Sequence, residues 1–265
     1  MTGLPPVGYT LELDENFTGP ELDRGRWLTS YLPHWSSRER SAARYGFSGA
    51  GLVLRIDADQ PPWCPEFDSG NRTSTLQTAS YSGPLGSAIG QSRFRDDLVV
   101  REQQPARRLY LMHHGYVELR ARAIADPDAM VALWMIGYED VPERSGEICV
   151  CEIFGREVSA GVASVGMGVH PFGDPALTDE FSKVRVEADV TEFHTYGADW
   201  RPGSVEFFVD GRSVLATGQA PDYPLQLMLG VFEFPRADGS APDPAGYPKE
   251  FEVDYVRVYA PPAHS

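Results

Sequence analysis

The sequence predicts an all-β fold of two packed sheets, and three features carry that expectation. Residues 116–122 alternate strictly, with Val117, Leu119 and Ala121 on one side and Glu118, Arg120 and Arg122 on the other. A period of two marks a strand with one buried face and one wet face. The runs at 205–209 and 212–216 flank Asp210-Gly211. An Asp-Gly pair suits a two-residue hairpin because both central residues of that turn need positive φ. Finally, 26 Gly and 22 Pro punctuate the chain, and no long segment keeps a helical period. Many short strands divided by turns make a sandwich or barrel.

The remaining elements follow the same logic. Residues 251–259 (Phe-Glu-Val-Asp-Tyr-Val-Arg-Val-Tyr) are rich in the β-branched and aromatic side chains that fill a pleated surface. The apolar stretch 130–136 reads as a buried strand and is far too short to cross a bilayer. Residues 191–196 could hold one helical turn. The 265 residues carry no linker and no repeat, so one domain over 1–265 is expected.

Charge narrows the partners. A formal charge of -15 repels phosphate backbones and argues against nucleic acid, whereas uncharged sugars are not disfavoured. Cys64, Cys149 and Cys151 do not make a disulfide framework, and free thiols are expected. The opening Met1-Thr-Gly-Leu-Pro-Pro6 lacks the basic start and apolar stretch of a secretory leader. That leaves a cytoplasmic chain, or a secreted one whose leader has been removed. A monomer is expected.

The segment richest in chemistry is Gly146-Glu-Ile-Cys-Val-Cys-Glu152. On a regular strand Glu147, Cys149 and Cys151 share one face and Glu152 points away. One extra residue, a β-bulge between Cys149 and Glu152, would turn Glu152 onto the face of Glu147. Two carboxylates about 5–5.5 Å apart are what a retaining glycosidase needs, one to attack the anomeric carbon and one to serve as acid and then base. Spacing alone would equally fit two solvated surface carboxylates. Their setting beside the apolar Ala132-Leu-Trp-Met-Ile136 is what favours a task, since glutamates are seldom placed there without one.

With these segments in view, the chain resembles glycoside hydrolase family 16, the laminarinases, lichenases and related endo-glycanases. The matching segments run in order: Glu15-Asn-Phe-Thr-Gly19 with Trp27, His114 to Arg122, Ala132 to Met135, Gly146-Glu-Ile148, Glu192 to Trp200, Val205 to Gly211, and Val253 to Tyr259. The resemblance implies a concanavalin-like β-jelly-roll sandwich with a substrate cleft across its concave sheet. Its Glu-x-Asp-x-x-Glu signature makes Glu147 the nucleophile and Glu152 the general acid/base. Cys149 stands where the family has a supporting aspartate, and a thiol is a weaker donor that is usually neutral near pH 7. Met130 stands where the family has its first cleft tryptophan; Trp134 retains the second.

The same resemblance nominates Trp134 as a sugar platform, His170 as a hydrogen-bonding partner, and Phe232 and Glu233 as residues of a cleft strand. Tyr138 and Phe154, with Tyr110 and Trp63, are further aromatic candidates. No cofactor is required for catalysis. Many members hold a structural Ca²⁺ away from the chemistry, which by position would use Asp254 and backbone oxygens near Glu15 and Gly51. The expected partner is a polysaccharide, β-1,3-glucan first, with galactan or mixed-linkage glucan as alternatives. A catalytically weak carbohydrate-binding protein on the same fold is the rival reading, and Cys149 is its best support. Zinc on Cys149, Cys151 and His170 lacks a recognised spacing, and no nucleophile elbow is present.

Overall fold

The computed structural model describes residues 4–240 and 242–262. Among these residues seventeen strands follow in chain order. The first eight are β1 (Thr10–Glu15), β2 (Arg44–Ser48), β3 (Gly51–Ile56), β4 (Arg72–Gln77), β5 (Ala79–Ser80), β6 (Arg107–Arg108), β7 (Gly115–Arg122) and β8 (Ala129–Gly137). Then come β9 (Glu147–Phe154), β10 (Val158–Ser159), β11 (Val162–His170), β12 (Glu180–Val186), β13 (His194–Arg201), β14 (Ser204–Val209), β15 (Arg212–Thr217), β16 (Leu225–Glu233) and β17 (Lys249–Ala260). One sheet has eight strands in the order β15-β14-β13-β7-β17-β3-β2, with β1 also on β17. The other has seven, ordered β10-β11-β9-β8-β16-β4, with β12 on β11. This is one of the two-sheet forms the sequence pattern allows, and the jelly-roll sandwich the resemblance implies.

The two sheets share one core. Leu52, Leu54, Val117, Leu119, Val256 and Val258 from the first meet Val131, Leu133, Ile148, Val150, Leu227 and Leu229 from the second. Alternation is what sorts them, since every second residue of a strand faces the same side. The 205–216 segment forms the predicted hairpin, with Asp210 at φ 48° and Gly211 at φ 72°. Residues 191–193 do not form the suggested helical turn. His194 already starts β13, whose Tyr196, Ala198 and Trp200 are buried in the core. No helix among the described residues is long and apolar enough to cross a membrane.

The strand that matters most is β9. It pairs with β8 through Ala132↔Glu152 and Leu133↔Cys151, but the next pair is Trp134↔Cys149. Two consecutive partners on β8 are matched by residues two apart on β9, so Val150 is the extra residue of a β-bulge. The neighbour β11 accommodates the bulge with a shift of its own, between Gly166↔Glu152 and Gly168↔Cys149. Gly168 has φ 145°, and a Cβ there would stand 2.2 Å from the Glu180 carbonyl oxygen, so no side chain fits.

Candidate active site

The bulge decides which side chains reach the outer face of the seven-stranded sheet. Val150 and Cys151, adjacent in sequence, both pack into the core. Parity therefore changes: Glu147 and Cys149 before the bulge, and Glu152 and Phe154 after it, line one open cleft of about 940 Å³. Cys149 and Cys151 do not share a face, as a regular strand would require; the first lies on the cleft and the second in the core. All three cysteines are free and buried.

Aromatic rings build the rest of the cleft floor. Trp134 of β8 stands 5.9 Å from Phe232 of β16, centre to centre, and both face Tyr31, at 6.4 and 5.3 Å. Tyr31 in turn meets Trp63 edge-on at 4.8 Å. Phe154 packs 5.7 Å from Phe234 and lies 3.9 Å beneath the Arg156 guanidinium. Flat apolar faces with a few polar groups at their edges suit sugar rings, whose axial C–H groups are apolar and whose equatorial hydroxyls are not.

Electrostatics single out the glutamate pair. Burial first, and then the charge of Glu152, push the Glu147 carboxyl up to about 8. Burial also raises Glu152, but Lys183 and Arg156 draw its carboxylate back toward ionisation. Burial thus favours the protonated form of both carboxyls, and the charge of Glu152 adds to that effect on Glu147. Glu152→Gln removes the charge that raises its neighbour. The Glu147 carboxyl should then titrate below about 8, which ¹³C-detected NMR of labelled glutamate side chains would measure; an unchanged midpoint would mean the two do not interact.

Cys149 lies between them in the strand. Its thiol donates to the Gly166 carbonyl at 3.8 Å, and burial together with the flanking glutamates pushes its pKa well up. It is therefore a neutral thiol whose proton is directed at the backbone. His170 is the cross-strand partner of Glu147 on β11 and also lines the cleft. Its ring stacks on Phe181 at 4.6 Å, and Nδ1 is 3.2 Å from an Asp179 oxygen.

Several nominated residues lie elsewhere. Glu233 follows Phe232 directly and so faces away from the cleft, where it is 4% exposed. Its carboxylate pairs with Arg72 at 2.8 Å and Lys249 at 3.1 Å. Tyr138 lies past the end of β8, where its hydroxyl donates to the Ser80 carbonyl and Arg108 covers its ring. Tyr110 is likewise outside the cleft, donating to Glu12. Glu15, Gly51 and Asp254 do gather along β17, since Glu15 pairs with Val256 and Gly51 abuts the Val253 and Asp254 backbone. However, Asp254, the one side chain expected to ligate, is bound by Arg120, and with a guanidinium on that carboxylate the set as arranged does not suit a calcium ion.

Residues that sequence reasoning overlooked come mostly from loops. Tyr31, Asp68, Asn71, Arg93 and Glu139 all border the cleft. Burial, Glu147 and Asp68 raise the Tyr31 hydroxyl far above its ordinary value, so it remains a donor. Glu139, raised to about 7 by burial, accepts the Ser92 backbone N–H at 2.7 Å and thereby ties the 88–95 segment to the cleft rim. A glutamate just past a strand end carries no periodic signal of such a role.

Comparison with known proteins places this geometry. A family model described as glycosyl hydrolases family 16 matches residues 108–256, more than half of the chain. A β-glucanase of Rhodothermus marinus is 28% identical over 172 residues, covering 55% of this chain and 57% of the relative. Glucan endo-1,3-β-glucosidase A1 of Niallia circulans is 25% identical over 96% of this chain and 38% of its own. The chain thus spans less than two thirds of the curated relatives it matches. Among solved structures, a GlcNAcα1-4Gal-releasing endo-β-galactosidase from Clostridium perfringens superposes with a TM-score of 0.81 and 27% identity, over 98% of this chain and 64% of that one. A laminarinase from Flavobacterium sp. UMI-01 gives a TM-score of 0.66 at 21% identity, over 94% of this chain and all of the other.

Proposed function

The chain belongs to glycoside hydrolase family 16, and from that premise we propose that it cleaves internal β-glycosidic bonds of a β-glucan, β-1,3-linked glucan first, with retention of configuration. The observation that carries the proposal is the bulge at Val150, which turns Glu152 onto the cleft beside Glu147. In this reading Glu147 attacks the anomeric carbon while Glu152 protonates the departing oxygen. Glu152 then removes a proton from water as that water displaces Glu147. The proton that Glu152 gives to the departing oxygen leaves with that product, and the proton it takes from water restores the acid for the next cycle.

Attack requires an ionised Glu147 and a protonated Glu152; burial favours the protonated form of both, and Lys183 and Arg156 offset it in part at Glu152. A sugar seated over Trp134 desolvates Glu152, and the positive charge that grows on the anomeric carbon favours an ionised Glu147. The open cleft and its line of rings support action within a chain rather than at its end.

Cys149 occupies the position of the family's aspartate in this reading. Wild type is expected to turn over, and Cys149→Asp to change kcat/KM by less than about tenfold, or ~1.4 kcal/mol of barrier. Turnover confined to the aspartate variant would instead assign the wild-type chain to glycan binding.

A second substrate class has its own support. The 27% identity and TM-score of 0.81 to an endo-β-galactosidase exceed the values for the laminarinase. Incubation with laminarin, mixed-linkage glucan, agarose-type galactan and galactose-terminated mucin glycans, with product sizes recorded, separates the two. Oligomers released from laminarin support the glucan reading. Release from a galactose-containing glycan alone transfers the same chemistry to β-galactosides.

A further inference from the structure

The segment entering β7 and the segment entering β16 meet away from the cleft. Met112 and Leu225 exchange two backbone hydrogen bonds, each 2.8 Å, which pin the two segments together. Next to that bridge stand His113 and His114 on one segment and Asp222 on the other. We propose that these three side chains form a site for a divalent transition-metal ion of the zinc type.

Adjacent residues of a regular strand point to opposite faces, so neighbouring histidines should not meet. Here His114 has φ 62°, in the left-handed region. That single residue reverses the alternation, and the two imidazoles stack with centres 4.3 Å apart and planes 28° apart. Left-handed backbone is uncommon outside glycine, but His, like Asn and Asp, adopts it more readily than other residues, and packing helps to fix it. Trp200 supplies part of that setting: its ring lies 5.0 Å from His114 and 5.8 Å from His113, and its Nε1 donates to the Pro221 carbonyl. The same tryptophan therefore supports both histidines and fixes the residue before Asp222.

The three ligand atoms lie within 4.8 Å of one another. Asp222 Oδ1 is 3.6 Å from His113 Nε2 and 3.8 Å from His114 Nε2. Ligands bonded to zinc at ~2.0–2.1 Å in a tetrahedron stand about 3.3 Å apart, so the two Asp222–histidine distances need to shorten by a few tenths of an ångström. The two imidazole nitrogens, within 4.8 Å of each other, close the set by a side-chain rotation of the exposed His113. His114 Nε2 is buried with no hydrogen-bond partner, a polar atom aimed into the cluster. Asp222 is 85% exposed and His113 is 43% exposed, which leaves an open side for the ion and for a water as fourth ligand. Two imidazoles with one carboxylate select zinc-like ions over calcium or magnesium, which want oxygen alone.

Binding would clip the 219–224 segment to the start of β7. That segment also carries Tyr223, whose hydroxyl accepts the Gly146 N–H at 2.7 Å and donates to Asp174 at 2.6 Å. Gly146 is the residue before Glu147, so the clip braces the approach to β9 from behind.

Isothermal titration of Zn²⁺ into the chain, prepared without a histidine tag, tests the proposal, with Ca²⁺ and Mg²⁺ as controls. One zinc per chain is expected, with a rise in melting temperature and no response to calcium or magnesium. Asp222→Asn, on an exposed side chain, and His114→Asn, which keeps a residue tolerant of the left-handed region, should each weaken binding at least tenfold and abolish the thermal shift. Absence of a one-to-one zinc site, or a site that both variants leave unchanged, would overturn the assignment.

Discussion

Glu147→Gln is expected to lower kcat/KM at least ~10⁴-fold and, at the same time, to raise the melting temperature at pH 7. The first effect follows from removing the attacking carboxylate, since an amide cannot form the glycosyl ester. The second follows from its environment. Burial and Glu152 hold the Glu147 carboxyl at about 8 in the folded chain, against an ordinary 4.5 once unfolded. Below about 4.5 both states bind the proton and nothing is lost. As pH rises through 4.5 toward 8 the unfolded state gives up a proton that the folded state retains, and stability falls. Glutamine removes that penalty. The gain at pH 7 is of order 1–3 kcal/mol, allowing for the partial solvent contact of the side chain. Calorimetry should therefore find a rise of roughly 2–8 °C at pH 7 that disappears near pH 4. A variant that loses activity and stability together would place Glu147 in an ordinary structural role.

Glu152→Ala is expected to cost ~10²–10⁴-fold on an unactivated glycan, because departure of the sugar oxygen then lacks a proton donor. The loss should shrink on aryl glycosides whose leaving group needs no proton. Azide should restore turnover of these substrates, since removing the side chain opens space beside the glycosyl-enzyme formed on Glu147. The azide attacks the face opposite Glu147, displaces its carboxylate and yields a β-glycosyl azide. An α-azide would exchange the two roles and make Glu152 the nucleophile. Lys183 and Arg156, which draw Glu152 toward its charged form, both stand over the ring of the cleft residue Phe154.

The sequence made the fold readable wherever a period or a turn was intact. Strand β7 alternates without interruption, and Asp210-Gly211 permits only a tight reversal. The bulge was legible for a less direct reason: two glutamates of opposite parity can serve one cleft only if the strand gains a residue. Its consequence for Cys151 was missed, because the same shift that brings Glu152 outward sends Cys151 into the core. Parity also rules against Glu233. Phe232 and Glu233 are neighbours on an unbulged strand, so only one can face the sugar, and the ring does.

Loops were the least legible part of the site. Tyr31, Asn71, Arg93 and Glu139 reach the cleft from connections whose path depends on what they pack against, and no local pattern encodes that path. The 88–95 segment illustrates the point. It is held by Gln91, whose carbonyl accepts from Trp35 and whose amide donates to Tyr138, residues 56 and 47 positions away. The calcium expectation meets a similar difficulty: Arg120, distant in sequence from Asp254, takes the carboxylate that would ligate.

The central claim is that a bulged strand sets Glu147 and Glu152 to work as a double-displacement pair. The most direct measurement is ¹H NMR of the anomeric protons during the first minutes of hydrolysis of a β-linked polysaccharide, before mutarotation scrambles them. New reducing ends that appear as the β-anomer and decay slowly toward equilibrium are the predicted result. Reducing ends that appear first as the α-anomer would contradict it, because a single displacement by water needs carboxylates held apart rather than brought together by the bulge at Val150.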